Sequence, residues 1–388
     1  MSYLRRISTR RLLAICAAVV VAAGGLAAIA LAATSGGPKP PPKPLAQALR
    51  DALAAKQVDG VTARISFTNH LIDAASLQGT DPILTGATGR LWATKDRLRL
   101  ELQASPDRGG GGDVQLLVAG DRVTVIDSGS KTVYRATLPA DGHPARNEPV
   151  PSLARIQDAI ARLAQHATLS GAQPSDVAGR PAYTVRIAPR HDGGLLGGVE
   201  LAWDAEHGVP LRAAVYAAGD SNPVLELKAT DISFGAVSAG NLTVPVPAGA
   251  KVVDLNPTAK DSNGRPTTVT GLHAVQAKAG FPIAAPATLV GLPRQEVRLI
   301  DESGTPGALV TYGQGLGGIA VLETKATSHD SGNQGILANL PKVSINGASG
   351  QELDTALGTV VRFDRGGVSY TVIGSVPPAA AEAAARGL

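Results

Sequence analysis

Seven histidines, one cysteine and a glycine run at 313–318 are the residues of this chain best equipped for chemistry. A metal site needs several His, Cys or carboxylate ligands at set spacings. His70, His143, His166, His191, His207, His273 and His329 are scattered, and none has such a partner. Cys16 is the single cysteine and sits in an N-terminal apolar stretch, so the body can form neither a disulfide nor a thiolate site. Ile15 precedes it where lipoprotein processing needs a small side chain. The run Gly313-Gln-Gly-Leu-Gly-Gly318 fits the dinucleotide fingerprint and follows a predicted strand at 308–312. A dinucleotide site needs a helix next, whose N-terminus meets the pyrophosphate. Ile319-Ala-Val-Leu-Glu-Thr alternates like a strand instead, so the run reads as a glycine-rich hairpin. Four glycines at 109–112 likewise lack a following helix and read as a loop tip. Nothing supplies nucleophile, base and orienting group together, so the chain reads as a non-enzyme, without cofactor or metal.

The elements that remain are mostly short strands. With 45 Gly and 27 Pro in 388 residues, turns are frequent. Apolar residues make up 44 %, enough for real cores, while aromatics are only 3 %. The net charge of +4 comes from Arg5, Arg6, Arg10 and Arg11; the rest of the chain is balanced. A neutral, aromatic-poor body excludes a nucleic-acid partner.

Residues 12–33 carry no charge over 22 positions. As a helix they reach about 33 Å, against a hydrocarbon core of about 30 Å. They read as a membrane anchor or a signal segment, and either way the arginines before them place the body outside the cytoplasmic membrane. Residues 34–44 form a Gly-then-Pro spacer. Leu45, Ala48, Leu49, Ala52 and Leu53 then mark an amphipathic helix at 45–58. Strands are predicted at 61–69, 88–95, 97–103, 114–120, 122–127 and 131–138. In the third, Leu98, Leu100 and Leu102 alternate with Arg99, Glu101 and Gln103, which means one covered face and one wetted face. A second helix at 151–167 lines up Leu153, Ile156, Ile160, Leu163 and Ala167, with Ser152 as N-cap. A meander follows from 179 to 234. Residues 255–270 are a polar linker, and 271–388 form a smaller α+β domain ending in an Ala-rich helix.

The order of the meander's pieces is telling. They are Gly179-Arg-Pro-Ala-Tyr-Thr-Val-Arg-Ile-Ala-Pro189, Leu201-Ala-Trp-Asp204, Gly208-Val-Pro-Leu211, Ala229-Thr-Asp-Ile-Ser-Phe-Gly235 and Val246-Pro-Ala-Gly-Ala-Lys-Val-Val253. Coming after a helix, six strands and a second helix, they resemble the LolA/LolB/RseB (MucB) superfamily in its actinobacterial form, over 45–254. The resemblance implies a half-open antiparallel β-barrel with covering helices, whose concave face holds a lipid or a lipoprotein acyl chain. An RseB-like alternative is an envelope sensor acting on an anti-sigma factor or another membrane protein. The expected lining is the apolar face of the matching strands and helix. It comprises Ile65, Phe67, Leu98, Leu100, Leu102, Leu116, Ile156, Ile160, Leu163, Tyr183, Val185, Ile187, Leu201 and Trp203. Residues 271–388 resemble small extracytoplasmic domains found with anti-sigma and sporulation proteins.

Overall fold

The computed structural model describes residues 37–71, 86–104, 113–137, 152–190, 194–254, 269–302, 305–326 and 340–388. Residues 1–33, the 109–112 loop and most of 255–270 lie outside these. The fold is mainly β, built on two sheets.

The first sheet begins with a meander of six strands. These are β1 (Val61–Asn69), β2 (Ala87–Ala93), β3 (Arg97–Ala104), β4 (Val114–Ala119), β5 (Arg122–Asp127) and β6 (Thr132–Thr137). The expected register holds: Leu98, Leu100 and Leu102 pair with Ala93, Leu91 and Gly89 on one side. On the other they pair with Val118, Leu116 and Val114. A second group follows: β7 (Ala167–Leu169), β8 (Gln173–Val177), β9 (Arg180–Pro189), β10 (Leu196–Asp204), β11 (Pro210–Ala217) and β12 (Pro223–Phe234). The two groups join along β1 and β12, antiparallel, with one bulge at Arg64/Ile65. The sheet curls into a half-open barrel and does not close.

From Phe234 the chain crosses the outer face and returns as β13 (Lys251–Asp254), parallel to β6 at the sheet's edge. A short 3-10 turn (Ala239–Leu242) on this crossing packs near β2 and β3, and Arg99 donates to the Asn241 carbonyl. That cover explains why Trp92, Ile126 and Val133 are buried although they point away from the inner face.

Two helices belong to the first sheet, α1 (Leu45–Ala54) and α2 (Leu153–Leu163). The first stops four residues short of the predicted end. Ala48, with Leu45, Leu49 and Ala52, packs on Tyr183, Val185 and Trp203. The second starts at Ser152, whose hydroxyl accepts the Arg155 N–H as expected. It packs on α1 rather than down onto the strands.

The described part of the expected spacer is not a free lead. Pro40 is buried, and the Tyr183 hydroxyl donates to the Pro41 carbonyl at 2.7 Å. Lys43 pairs with Asp51 at 2.6 Å and lies over the Tyr183 ring. Gly37 abuts the Asp176 carboxylate, so residues 37–44 strap the body. Prolines fit because they need no donated N–H and are already extended.

The second sheet holds β14 (Thr288–Leu289), β15 (Leu292–Glu302), β16 (Thr305–Tyr312), β17 (Ile319–Lys325), β18 (Lys342–Ile345), β19 (Ala348–Thr355), β20 (Gly358–Arg365) and β21 (Val368–Gly374). The helices α3 (Leu272–Ala279) and α4 (Pro378–Arg386) contribute to its core. Ala381, Ala384 and Ala385 reach Val361, Phe363 and Val372 because alanines let a helix sit close to a sheet. The run 313–318 is the turn of the β16–β17 hairpin, and no helix follows it. The two sheets touch: the Leu195 N–H donates to the carbonyl and hydroxyl of Ser375, and the Ala356 N–H donates to the Leu71 carbonyl.

Candidate functional site

Register builds the site strand by strand. Ile187 pairs with Val199, Val185 with Leu201 and Tyr183 with Trp203. Leu201 pairs with Ala213, Ala213 with Leu227, and Leu227 with Phe67. Ile65 pairs with Ala229 and with Gly89, and Gly89 with Leu102. Leu100 pairs with Leu116, and Leu116 with Val125. Directly paired residues share a sheet face. These pairs therefore form one apolar face from β9 through β12, β1 and β2 to β5. All eleven strand residues of the expected lining lie on it.

That face is covered unevenly. Tyr183, Val185 and Trp203 are buried beneath α1. Ile65, Leu100 and Leu102 are buried among the strands. Phe67, Leu98, Leu116, Ile187 and Leu201 are only half-buried. The helix residues of the expected lining divide differently. Ile156 is buried, Ile160 half-buried and Leu163 41 % exposed. The second helix packs against α1.

The outer face of β9–β12 is polar yet buried. Arg212 bonds Glu226 at 2.9 Å, pairs with Glu200 and donates to the Tyr216 hydroxyl. Arg186 lies over the Tyr216 ring at 4.1 Å. A buried arginine needs such partners, and this set holds four strands in register.

One end of the inner face is locked by a cluster that sequence reasoning missed. Asp204 is fully buried and accepts from Arg180 Nε at 2.8 Å and from the His207 and Glu206 N–H groups. It also meets His207 Nδ1 at 3.0 Å. Burial raises its pKa, but the Arg180 hydrogen bond and the His207 contacts outweigh that and hold it below the usual carboxylate value. Arg180 and the His207 ring also stack on Phe234, tying β9, the β10–β11 turn and the end of β12 together. The one sequence signal was Asp204 with Gly208 four residues on, a turn closed on its own backbone.

A second polar cluster lies in the core of the other sheet. Glu323 is fully buried, with the Ala284 N–H on one oxygen at 2.8 Å and no partner for the other among the described residues. Burial pushes its pKa up to about 7, and burial together with Glu323 pushes Tyr312 up to about 12. Among the described residues no three His, Cys, Asp or Glu side chains could hold a metal.

The geometry defines a half-open β-barrel with an apolar inner face, α1 packed on it with α2 against α1, and a second sheet that touches it at Leu195 and Leu71. No family model and no curated protein matches the sequence. Solved structures do. The chain is similar to MucB in complex with MucA(peri), at 18 % identity and a TM-score of 0.42, over 88 % of this chain and 94 % of that one. It is similar to the MucA/MucB complex of Pseudomonas aeruginosa at 18 % identity and a TM-score of 0.45, over 88 % and 96 %. A LolA superfamily protein of Nitrosomonas europaea matches over 52 % of this chain and 99 % of its own, at 11 % identity and a TM-score of 0.23.

Proposed function

We propose that this chain is an extracytoplasmic protein, tethered to the cytoplasmic membrane through residues 12–33, that holds the acyl chain of a lipid or lipoprotein in its half-barrel. The observation that carries the reading is the single apolar face running from β9 to β5, whose Phe67, Leu98, Leu116, Ile187 and Leu201 stay half-buried. Apolar area left part-open on an inner wall is what an acyl chain would cover, at about 0.8 kcal/mol per buried methylene. The tether rests on the sequence of 12–33; no helix among the described residues is long and apolar enough to cross a membrane. If the leader is cleaved, the same body is secreted. Native mass spectrometry of the full chain from its own host tests the ligand. A co-purifying lipid and displaceable binding of a fluorescent fatty acid support the proposal. Absence of both sinks it.

A second reading is an envelope module that docks on a membrane protein such as an anti-sigma factor. In its favour, β13 is a short edge strand with Val252 49 % exposed and no neighbour on its outer side among the described residues. Such an edge can take an added strand. A stoichiometric protein partner, captured from membranes without lipid, would favour this over the carrier reading.

A further inference from the structure

We infer that the helical side of the half-barrel docks on the outer surface of the bilayer that holds residues 12–33. This rests on the anchor proposed above and adds an orientation to it.

Three observations meet here. The first is reach. Gly37 is already fixed against Asp176, and Pro41 against Tyr183. Only residues 34–36 separate the end of the apolar stretch from that fixed point. Even fully extended, the four steps from Ala33 to Gly37 span about 14 Å at ~3.5 Å per residue. Gly37 therefore stays within about 14 Å of the hydrocarbon edge, close to a headgroup layer about 5–7 Å deep.

The second is direction. Tyr183 lies on the inner face, beside Trp203 and under α1. The strap that its hydroxyl holds runs straight into α1, with Pro44 as N-cap. The tether thus arrives on the helical side of the sheet, and the outer face is turned away from it.

The third is chemistry. On that side Leu53 is 57 % exposed, and Leu153 and Leu163 are 36 % and 41 % exposed. The same two helices and their flanks carry the exposed Lys39, Arg50, Lys56, Arg155 and Arg162, against the exposed carboxylates Asp59 and Asp158. Asp51 is already paired by Lys43. Exposed leucines together with an excess of cations on one pair of helices suit a surface that rests in the headgroups of anionic lipids. In that pose α1 and α2 stand between the bilayer and the apolar face they flank.

The test uses the full-length chain with Cys16→Ser, reconstituted into vesicles of phosphatidylglycerol and phosphatidylethanolamine. Single cysteines replace Leu53, Leu163 or, as a control on the outer face of β1, the exposed Arg64. Each carries an environment-sensitive fluorophore. We expect a blue shift and quenching by nitroxide lipids at 53 and 163 but not at 64. Arg155→Glu with Arg162→Glu, which leaves the buried residues in place, weakens both signals, as do phosphatidylcholine vesicles. Reporters at 53 and 163 as wet as the one at 64, on a chain that floats with the vesicles, overturn the docking alone. A chain that does not float overturns the anchor and the docking together. Neither result bears on the bound acyl chain, which mass spectrometry reads separately.

Discussion

Asp204 and Glu323 are both fully buried carboxyls, and they titrate in opposite senses. Asp204 has its charge matched by Arg180 and backbone N–H groups, so its folded pKa lies below the ordinary 3.8. Its contribution to stability is complete above that value and is lost as pH falls through the lower folded pKa. Asp204→Ala removes the shortest of Arg180's bonds and the acceptor of the Glu206 and His207 N–H groups, and should cost about 2–3 kcal/mol in a urea titration. Glu323 has one donor for two oxygens, so the folded state favours its neutral form. Its contribution is complete below the ordinary 4.5 and is lost as pH rises to about 7. The shift corresponds to about 3 kcal/mol at ~1.36 kcal/mol per unit. Stability of the second sheet should therefore decline between pH 4.5 and 7, and in Glu323→Gln that decline should vanish. A wild-type stability that is flat across this window would overturn the assignment. Neither role was legible in the sequence. Asp204 meets Arg180 across 24 residues, and Glu323 meets Ala284 across 39. Residue type sets what such groups can do, but only register and burial decide what they face.

Elements were legible where their period was strong. The runs at 61–69, 97–103 and 122–127 alternate cleanly and fold as β1, β3 and β5. The stripe from Leu153 to Leu163 gave α2 and its cap. The period of a helix does not say against what it packs, so the seat of α2 on α1 was hidden. The short β7 and β8, the polar β19 and the weakly amphipathic α3 were missed because none offers a long apolar pattern. The seat of α1 was also invisible, since Gly208 meets it from 156 residues on. Gly208 has φ +66°, and a Cβ there would collide with the Ala52 carbonyl. Gly208→Val combines that collision with a left-handed conformation which valine resists. We expect a loss of about 2–3 kcal/mol and faster hydrogen exchange in α1 than in β9. For the apolar face, Leu116→Glu adds a charge at a half-buried site on β4. It should reduce fatty-acid binding by about tenfold or more with circular dichroism unchanged, since ~1.4 kcal/mol is tenfold and a desolvated carboxylate costs more.

At the scale of the whole chain, the two sheets are joined by few but specific bonds. Ser375 accepts the Leu195 N–H at 3.0 Å and donates to the Leu357 carbonyl at 2.8 Å. Removing that hydroxyl by Ser375→Ala should cost about 1 kcal/mol and separate the two sheets' transitions in calorimetry. A single unchanged transition would show that the bond does not couple them. The meeting of β1 and β12 has another consequence, one of timing. The first six strands can pair with their neighbours as soon as they are made, because each needs only the next. The free edge of β1 needs Leu225 to Phe234, which follow it by more than 150 residues. Until then β1 presents Ile65 and Phe67 beside unpaired backbone, the state in which strands join the wrong chain. A polypeptide that emerges N-terminus first must carry this open seam while the more than 150 residues between β1 and β12 are made. Residues 223–234 thus finish the wall and also set the moment at which the half-barrel stops being an aggregation hazard.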